Sequence, residues 1–478
     1  MAKPEFDLAV IGGGAGGLVV AAGGAALGAK VALVEKHKLG GDCLWYGCVP
    51  SKTLLKSARI AHEMRHADRW ALDPAPPQPD LARVMGRVAG VIEGIEPNDS
   101  PERFRGLGVD VIFGAGRFVG PDAFEVDGRR LTAKAFVIAT GSRPAVPKIP
   151  GLDATPYLTN ETLFDLREPV PSLLVAGAGP IGSELAQAFR RLGSEVMVVD
   201  MAPQFLPRED SDLAAVVARA LAAEGVGHRL GATITGFSGR KGDVRVTLRS
   251  GDGAPEELAG SHLLLALGRA ANVEDLGLDA AGVTVEHGRI VANAGLRTTN
   301  PDIYVIGDAA GGHQFTHLAE HHAGVVLRQA IFRMRWAKPS SVVPWCTFTD
   351  PELARVGVSE TEAKARGLAH RIYWFAFDDI DRARTEGETE GMAKIVTDPK
   401  GKLLGAAIVG SHAGELIAEY VMAIAKGMNA KELTGIVHAY PTLAQINRRV
   451  ADQRLKEGLT PTAKTWIRRL FRLQGARG

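Results

Sequence analysis

The hydrophobic pattern opens with a short apolar run, Phe6-Asp-Leu-Ala-Val-Ile11, that reads as a buried strand. An alanine-rich helix and a second strand, Lys30-Val-Ala-Leu-Val34, follow and end at Glu35. Far along the chain the pattern repeats, with strands at Ser172–Ala176 and Glu195–Val199 and an acid at Asp200. Further apolar runs, Phe136–Gly141 and Leu263–Arg269, read as strands that end in small-residue turns, and Ile303–Ala310 reads as another buried strand with Gly307-Asp308 at its C-terminal end. Leu54–Arg69 reads as a helix. Asp73–Pro79 holds four prolines, which break both helix and sheet. From Val342 onward strand and helix patterns alternate, as in a separate domain.

Between strand and helix, each repeat carries a glycine fingerprint. Gly12, Gly14 and Gly17 fit G-x-G-x-x-G, as do Gly177, Gly179 and Gly182. The first glycine permits the tight turn, the second lets backbone approach a pyrophosphate, and the third lets helix and strand pack closely. The helix start offers free N–H groups to phosphate, and the acid at the strand end suits a ribose. The spacing from first glycine to acid is 23 residues in both copies, Glu35 and Asp200. Two such units imply two dinucleotides. No basic residue follows Asp200 at Met201 or Ala202, which favours NADH over NADPH, although Arg208 lies further on. Ligands of open parallel sheets sit at the carboxyl ends of strands, where Thr140-Gly141, Gly268-Arg269 and Gly307-Asp308 lie.

Composition narrows the class. At roughly 150 residues per domain the chain has room for about three. It is 46% apolar and 23% charged with a formal net charge of +2, so nothing global points to nucleic acid. The longest apolar stretch, Leu18–Ala29, is interrupted by glycines and meets Lys30, so no segment reads as a membrane span. The first strand starts too early for a signal peptide, and the expected location is the cytoplasm. Three cysteines make no disulfide framework. Two of them, Cys43 and Cys48, lie five residues apart beside the first fingerprint, which in a reducing compartment points to redox or metal chemistry. Two nucleotides meeting near a cysteine pair is the layout of a flavin-linked disulfide reductase.

The stretch Cys43-x4-Cys48-Val-Pro-Ser-Lys52, Ala139-Thr-Gly141, the second fingerprint with Glu184, Gly268-Arg269, Gly307-Asp308 and Phe348-Thr-Asp-Pro-Glu352 occur in an order that resembles the class I pyridine nucleotide–disulfide oxidoreductases. These include dihydrolipoamide dehydrogenase, glutathione reductase and mercuric reductase. The resemblance runs from about Phe6 to about Val450. It implies an α/β fold with two Rossmann-like nucleotide-binding domains and a C-terminal α+β dimerisation domain. The expected division is 1–155 and 269–341 for FAD, 156–268 for NAD(P), 342–455 for dimerisation, and 456–478 as a basic tail. It further implies FAD on the first fingerprint with Glu35 at its ribose and Asp308 near its ribityl or pyrophosphate region. The resemblance assigns the nicotinamide cofactor to the second fingerprint and implies that Lys52 pairs with Glu184 beside the flavin. It also implies a homodimer in which one subunit's C-terminal domain completes the other's active site. On the same ground Cys43 and Cys48 are expected to form the redox disulfide, with Cys48 the thiolate against the flavin and Cys43 the attacking sulfur.

The departures from the family are informative. Where the disulfide-reducing members carry a histidine base and a glutamate that orients it, this chain has Tyr440 and Gln445. A phenol, with an unperturbed pKa of about 10, is a poor base at neutral pH. His438, two residues earlier, is the one nearby imidazole that could stand in. Tyrosine at this place resembles mercuric reductase, yet no cysteine follows Cys346 to deliver Hg(II). Cys346 itself reads as a small buried hydrophobe. His317, His321 and His322 invite a metal reading, since i and i+4 share a helix face, but no ligand set completes a metal site there. Thr462–Leu473 reads as a basic amphipathic helix, suited to an anionic membrane surface; packing on the dimer or a flexible end is the plainer reading. The acceptor stays open among a disulfide, a thiol-linked species and a metal ion. The alternative is a flavin reductase acting directly on quinones, metal ions or oxygen, at a membrane through the tail. A flavoprotein kept only as a binder would have no need of the cysteine pair.

Overall fold

The computed structural model describes residues 3–475. The chain divides into two compact units. One holds the chain up to His62, Pro77–Met201 and Ala232–Ser340; the other holds Glu63–Pro76, Ala202–Gly231 and the chain from Ser341 on.

The first unit is built on two sheets with parallel inner strands, the larger of which also carries antiparallel strands at Gly116–Gly120 and Ala123–Val126. Strand β1 (Phe6–Ile11), helix α1 (Ala15–Ala26) and strand β2 (Val31–Glu35) form the opening unit. Helix α2 (Cys48–Arg65) follows, then β3 (Asp110–Phe113) and β4 (Arg129–Ile138). The second nucleotide unit is β5 (Ser172–Ala176), α3 (Pro180–Arg191) and β6 (Glu195–Asp200), joined later by β7 (His262–Leu265). The chain then returns to the first sheet with β8 (Ile303–Val305) and α4 (Thr316–Ala330). The parallel order is β3-β2-β1-β4-β8 in the first sheet and β6-β5-β7 in the second. Both fingerprints therefore leave strands buried inside their sheets.

Strand alternation supplies two cores. Leu8 and Val10 face one side of the first sheet and pack with Leu18, Val325 and Val326 of α1 and α4. Ala9 and Ile11 face the other, in a core that also holds Phe118, Phe124 and Phe136. The small residues of α1 are what let α4 approach. A Cβ at Gly23 would stand 2.6 Å from Leu327 Cδ1, and one at Gly16 would stand 3.1 Å from the Ala319 carbonyl oxygen. This close approach carries Thr316, the first residue of α4, with it.

One strand expectation needs correction. The run through Ile303 is a strand only to Val305, and Gly307–Ala310 is a 3₁₀ turn, because Gly307 adopts φ +61°. The Phe136 run is a strand to Ile138 followed by the turn at Ala139–Gly141, as the small residues indicate. The helix placed at Leu54 begins six residues earlier, at Cys48. Pro50 masked its start. A proline in the first helical turn is harmless, because the N–H it lacks has no intrahelical partner there.

The second unit carries a five-stranded antiparallel sheet. Its strands are β9 (Pro344–Thr347), β10 (Glu352–Gly357), β11 (Arg371–Ala376), β12 (Met392–Thr397) and β13 (Leu403–Gly410), in the order β9-β10-β13-β12-β11. Helices α5 (Ala418–Ala425), α6 (Gln445–Gly458) and α7 (Pro461–Phe471) follow. Ala354, Ile395, Ile408, Tyr420, Ile446 and Val450 form the core. Beside it lies a buried charge network. The ammonium of Lys394, 3% exposed, meets Asp212 at 2.7 Å, Glu360 at 3.0 Å and Asp210 at 3.2 Å. Burial works to raise the Asp210 carboxyl, but hydrogen bonds from Thr361 and the charge of Lys394 outweigh it and bring its pKa down to about 2. Half-buried Cys346 places its sulfur 3.5 Å from the Thr347 carbonyl, so it is less enclosed than a core residue.

Removing one partner of a buried ionic cluster leaves the rest uncompensated, at about 3–5 kcal/mol, whereas an exposed pair contributes about 0–1 kcal/mol. Lys394→Met is therefore expected to destabilise the protein strongly in denaturant melts. Lys364→Met, which removes an exposed partner of Glu360, should change little. Because the Asp210 pKa is depressed on folding, its contribution is present above the unfolded value of 3.8 and is lost as pH falls towards 2.

Candidate active site

The two fingerprints have matching geometry. A Cβ at Gly12 would stand 2.4 Å from the Ala139 carbonyl oxygen, and one at Gly17 would stand 1.9 Å from the Gly12 carbonyl oxygen. At Gly177 and Gly182 the corresponding distances are 2.3 Å to Ala266 O and 1.9 Å to Gly177 O. The middle glycines differ from these in both copies. Around Gly14 the nearest atom to such a Cβ is Gly41 Cα at 3.8 Å, and around Gly179 nothing lies within 4 Å. The outer glycines are thus fixed by packing, and the middle ones face open space at the start of a helix. That is a cradle for a pyrophosphate, and the residues fit a dinucleotide at each position. Glu35 accepts from Gly13 N at 2.7 Å and from His37 N at 2.8 Å. Asp200 accepts from Ala178 N at 2.6 Å. Each acid holds its own glycine loop in shape.

At the carboxyl ends of β4 and β8 a polar knot forms. Ser142 donates to Asp308 Oδ2 at 2.5 Å, and Arg269 donates to the Ser142 hydroxyl at 2.7 Å and carbonyl at 2.9 Å. The same guanidinium stands 3.2 Å from Asp42, next to the first cysteine. Burial pushes the Asp308 carboxyl up, against the opposing pull of Ser142 and Arg269. Asn160 donates to Asp42 and to the Tyr46 carbonyl, both at 3.1 Å, and so anchors the cysteine segment. Thr140 donates to Asn272 O at 2.7 Å. Gly141 and Gly268 both take positive φ, +68° and +109°.

The cysteine pair sits where two helices start. Cys48 is the first residue of α2, and its sulfur lies 3.5 Å from Thr316 Oγ1, at the first residue of α4. The Cys48 thiol is brought down to about 6, first by the hydrogen bond from Cys43, then by Thr316 and the charge of Lys52, against the effect of burial. Cys43 is pushed the other way by the same contact and by burial. The pair is thereby split into a thiolate at Cys48 and a thiol at Cys43. Lys52, one turn along α2, meets Glu184 on α3 at 2.7 Å, with Glu184 only 6% exposed. Ser142, Asp42, Asn160 and Thr316 were not legible as site residues.

The three histidines of α4 go to separate partners. His322 accepts from Gly307 N at 3.2 Å, and burial lowers its pKa to about 4. His321 accepts from Ser340 N at 2.9 Å, and the His317 ring stacks on Phe315 with centroids 5.3 Å apart. In the second unit, Tyr440 is 69% exposed and donates to Asp381 at 3.1 Å, a contact that raises the phenol further above its ordinary value. His438 faces Glu419 at 3.0 Å with one nitrogen and the Ile436 carbonyl at 3.1 Å with the other. Asn447 also holds Glu419, at 2.8 Å. Gln445 is the first residue of α6.

Residues 6–323 match the model of the pyridine nucleotide-disulphide oxidoreductases, and residues 343–450 match the dimerisation domain of the same family. The chain belongs to that family. It is 34% identical to a mercuric reductase of Bacillus cereus over 92% of this chain and 70% of that one. It is 37% identical to a dihydrolipoyl dehydrogenase of Thermus scotoductus over 92% of this chain and 95% of that one. Among solved structures, the HOCl-induced flavoprotein disulfide reductase RclA of Escherichia coli superposes with a TM-score of 0.82 at 28% identity, covering 93% of this chain and 99% of that one. A Cu(II) complex of a variant of that protein gives 0.84 at 27% identity, covering 94% and 99%. The chain is therefore a flavin-dependent NAD(P)H–disulfide oxidoreductase with a dimerisation domain. Among the described residues no helix is long and apolar enough to cross a membrane, and no group of three or more histidine, cysteine or acidic side chains is placed to hold a metal.

Thr316→Val removes the hydroxyl that supports the Cys48 anion. In the reduced protein, the rate of iodoacetamide alkylation of Cys48 should rise with a midpoint near pH 6. In the variant the midpoint should move up by about one to two pH units, since the loss of one hydrogen bond to a charged group is about 1.5–3 kcal/mol. An unchanged midpoint would show that Thr316 does not hold the thiolate.

Proposed function

We propose that this enzyme takes hydride from NADH and passes its two electrons through Cys43 and Cys48 to a thiophilic metal ion, copper before mercury. Bound FAD would supply the two-electron relay between nicotinamide and sulfur, held by Gly12, Gly14, Glu35 and Asp308. NADH is favoured because Asp200 ends β6 as a carboxylate bound to its own loop, with Met201 and Ala202 after it. A 2′-phosphate there would meet the acid and no adjacent base.

The observation that carries the choice of acceptor is an ionised Cys48 in a chain with Tyr440 where a histidine base is expected. Reducing a disulfide by thiol exchange requires a proton to reach the leaving sulfur, and a base near neutral pH to manage it. Tyr440, exposed and raised by Asp381, is a poor candidate, and both ring nitrogens of His438 face acceptors in their own domain. Reduction of a thiolate-bound metal ion needs electrons only. The balance is simple: hydride opens the Cys43–Cys48 disulfide to the Cys43 thiol and the Cys48 thiolate, and this pair returns one electron to each of two Cu(II) ions. Two Cu(I) form, the S–S bond closes again, and the one proton on Cys43 leaves to solvent. Copper is preferred to mercury because no cysteine after Cys346 is available to hand over Hg(II). The similarity to mercuric reductases and to a protein crystallised with Cu(II) supports a metal acceptor. The working form is a homodimer in which the C-terminal domain of one protomer completes the site of its partner.

The test is NADH oxidation against Cu(II), Hg(II), lipoamide, glutathione disulfide and quinones, wild type beside Cys43→Ser. Cu(II) turnover should be the largest and should fall by at least roughly 100-fold in the variant, with lipoamide weak in both. Survival of every activity in Cys43→Ser would instead mean direct transfer from the flavin. A dominant lipoamide or glutathione activity would return the enzyme to the disulfide reducers.

A further inference from the structure

Helix α7 lies outside both family matches, which end at residue 450. It is a well-formed helix. Thr460 caps it by accepting from Ala463 N, and Pro461 occupies its first turn. None of its described residues is buried. Trp466, Ile467, Leu470 and Phe471 fall on one face at i, i+1, i+4 and i+5 spacing, and Trp466, Leu470 and Phe471 are 67%, 74% and 66% exposed. Lys464, Arg468 and Arg469 lie on the other face, and Arg472 caps the helix end. From Leu459 through Leu473 there is no acidic residue.

We propose that α7 docks the enzyme in the plane of an anionic lipid bilayer. The helix is 11 residues long, about half of what a span requires, so it lies in the interface and does not cross it. Its apolar face would enter the acyl boundary, with the indole of Trp466 at the headgroup level, where amphipathic rings are favoured. The basic face, with no acid to offset it, complements anionic headgroups. A second copy of the chain fits less well. Two-fold pairing places the same surface against itself, which here sets a helix whose charges are all basic against its like. The proposal is independent of which acceptor the enzyme reduces.

The experiment uses the full-length holoenzyme and co-sedimentation with two kinds of vesicle. One is pure phosphatidylcholine; the other holds about one-third phosphatidylglycerol, which supplies the negative surface. Partitioning onto the anionic vesicles should exceed that onto the neutral ones by at least about tenfold, and should weaken as salt screens the charges. Leu470→Glu, and separately a chain cut after Gly458, should abolish the difference while NADH oxidation in solution stays unchanged. Equal binding to both vesicles, or no binding to either, overturns the proposal. So does a fall in solution mass from dimer to monomer on Leu470→Glu without lipid, which would make α7 a contact between copies.

Discussion

A sulfur stays ionised near neutral pH only where positive potential and donors outweigh the loss of water around it. The candidate site depends on meeting that condition at Cys48. The sulfur sits at the first residue of α2 and against the first residue of α4, so two helix starts face it. Lys52 adds charge, and its pairing with Glu184 fixes where that charge stands. Cys43 donates the remaining hydrogen bond and is thereby kept as the protonated member. The asymmetry of the pair is a property of position, since the two side chains are chemically identical.

That position is produced by close backbone packing elsewhere. Thr316 reaches Cys48 because α4 lies close along α1, and α1 admits it through Gly16 and Gly23. The fingerprint loop meets the cysteine segment where Gly41 and Gly14 pass each other; a Cβ on Gly41 would stand 2.6 Å from Gly14 Cα. The first glycine-rich stretch therefore serves two purposes. It shapes a phosphate cradle, and it brings the helix and the loop that flank the reactive sulfurs into contact range. The Ser142–Asp308–Arg269–Asp42 knot ties the strand ends to the same loop.

The second unit solves a different problem. Its sheet buries Lys394 among three carboxylates, a cluster that is costly to assemble from water and costly to leave incomplete. The cluster joins segments far apart in sequence, Asp210 and Asp212 with Glu360 and Lys394, and so favours one arrangement of the chain over others. Tyr440 and His438, two residues apart, show how local geometry separates similar candidates. One phenol is left exposed to Asp381, while the imidazole is turned to Glu419.

The glycine spacing, the acids at positions 35 and 200, and the C-x4-C-x3-K segment were legible in the sequence because each depends on contacts within a few tens of residues. A tight turn, a helix start and a strand end are local events, and their residue types are restricted by sterics. The start of α2 was misjudged because Pro50 has opposite meanings inside a helix and in its first turn, and only the backbone path tells them apart. Thr316, Asp42, Asn160 and Ser142 could not be read at all. Their roles come from contacts across more than a hundred residues of chain, and serines, threonines and asparagines serve equally well as caps and turn formers. Sequence alone determined that two nucleotide units and a cysteine pair are present. Which sulfur holds the charge was decided by tertiary structure, because electrostatic potential at a point sums over groups that only folding brings together.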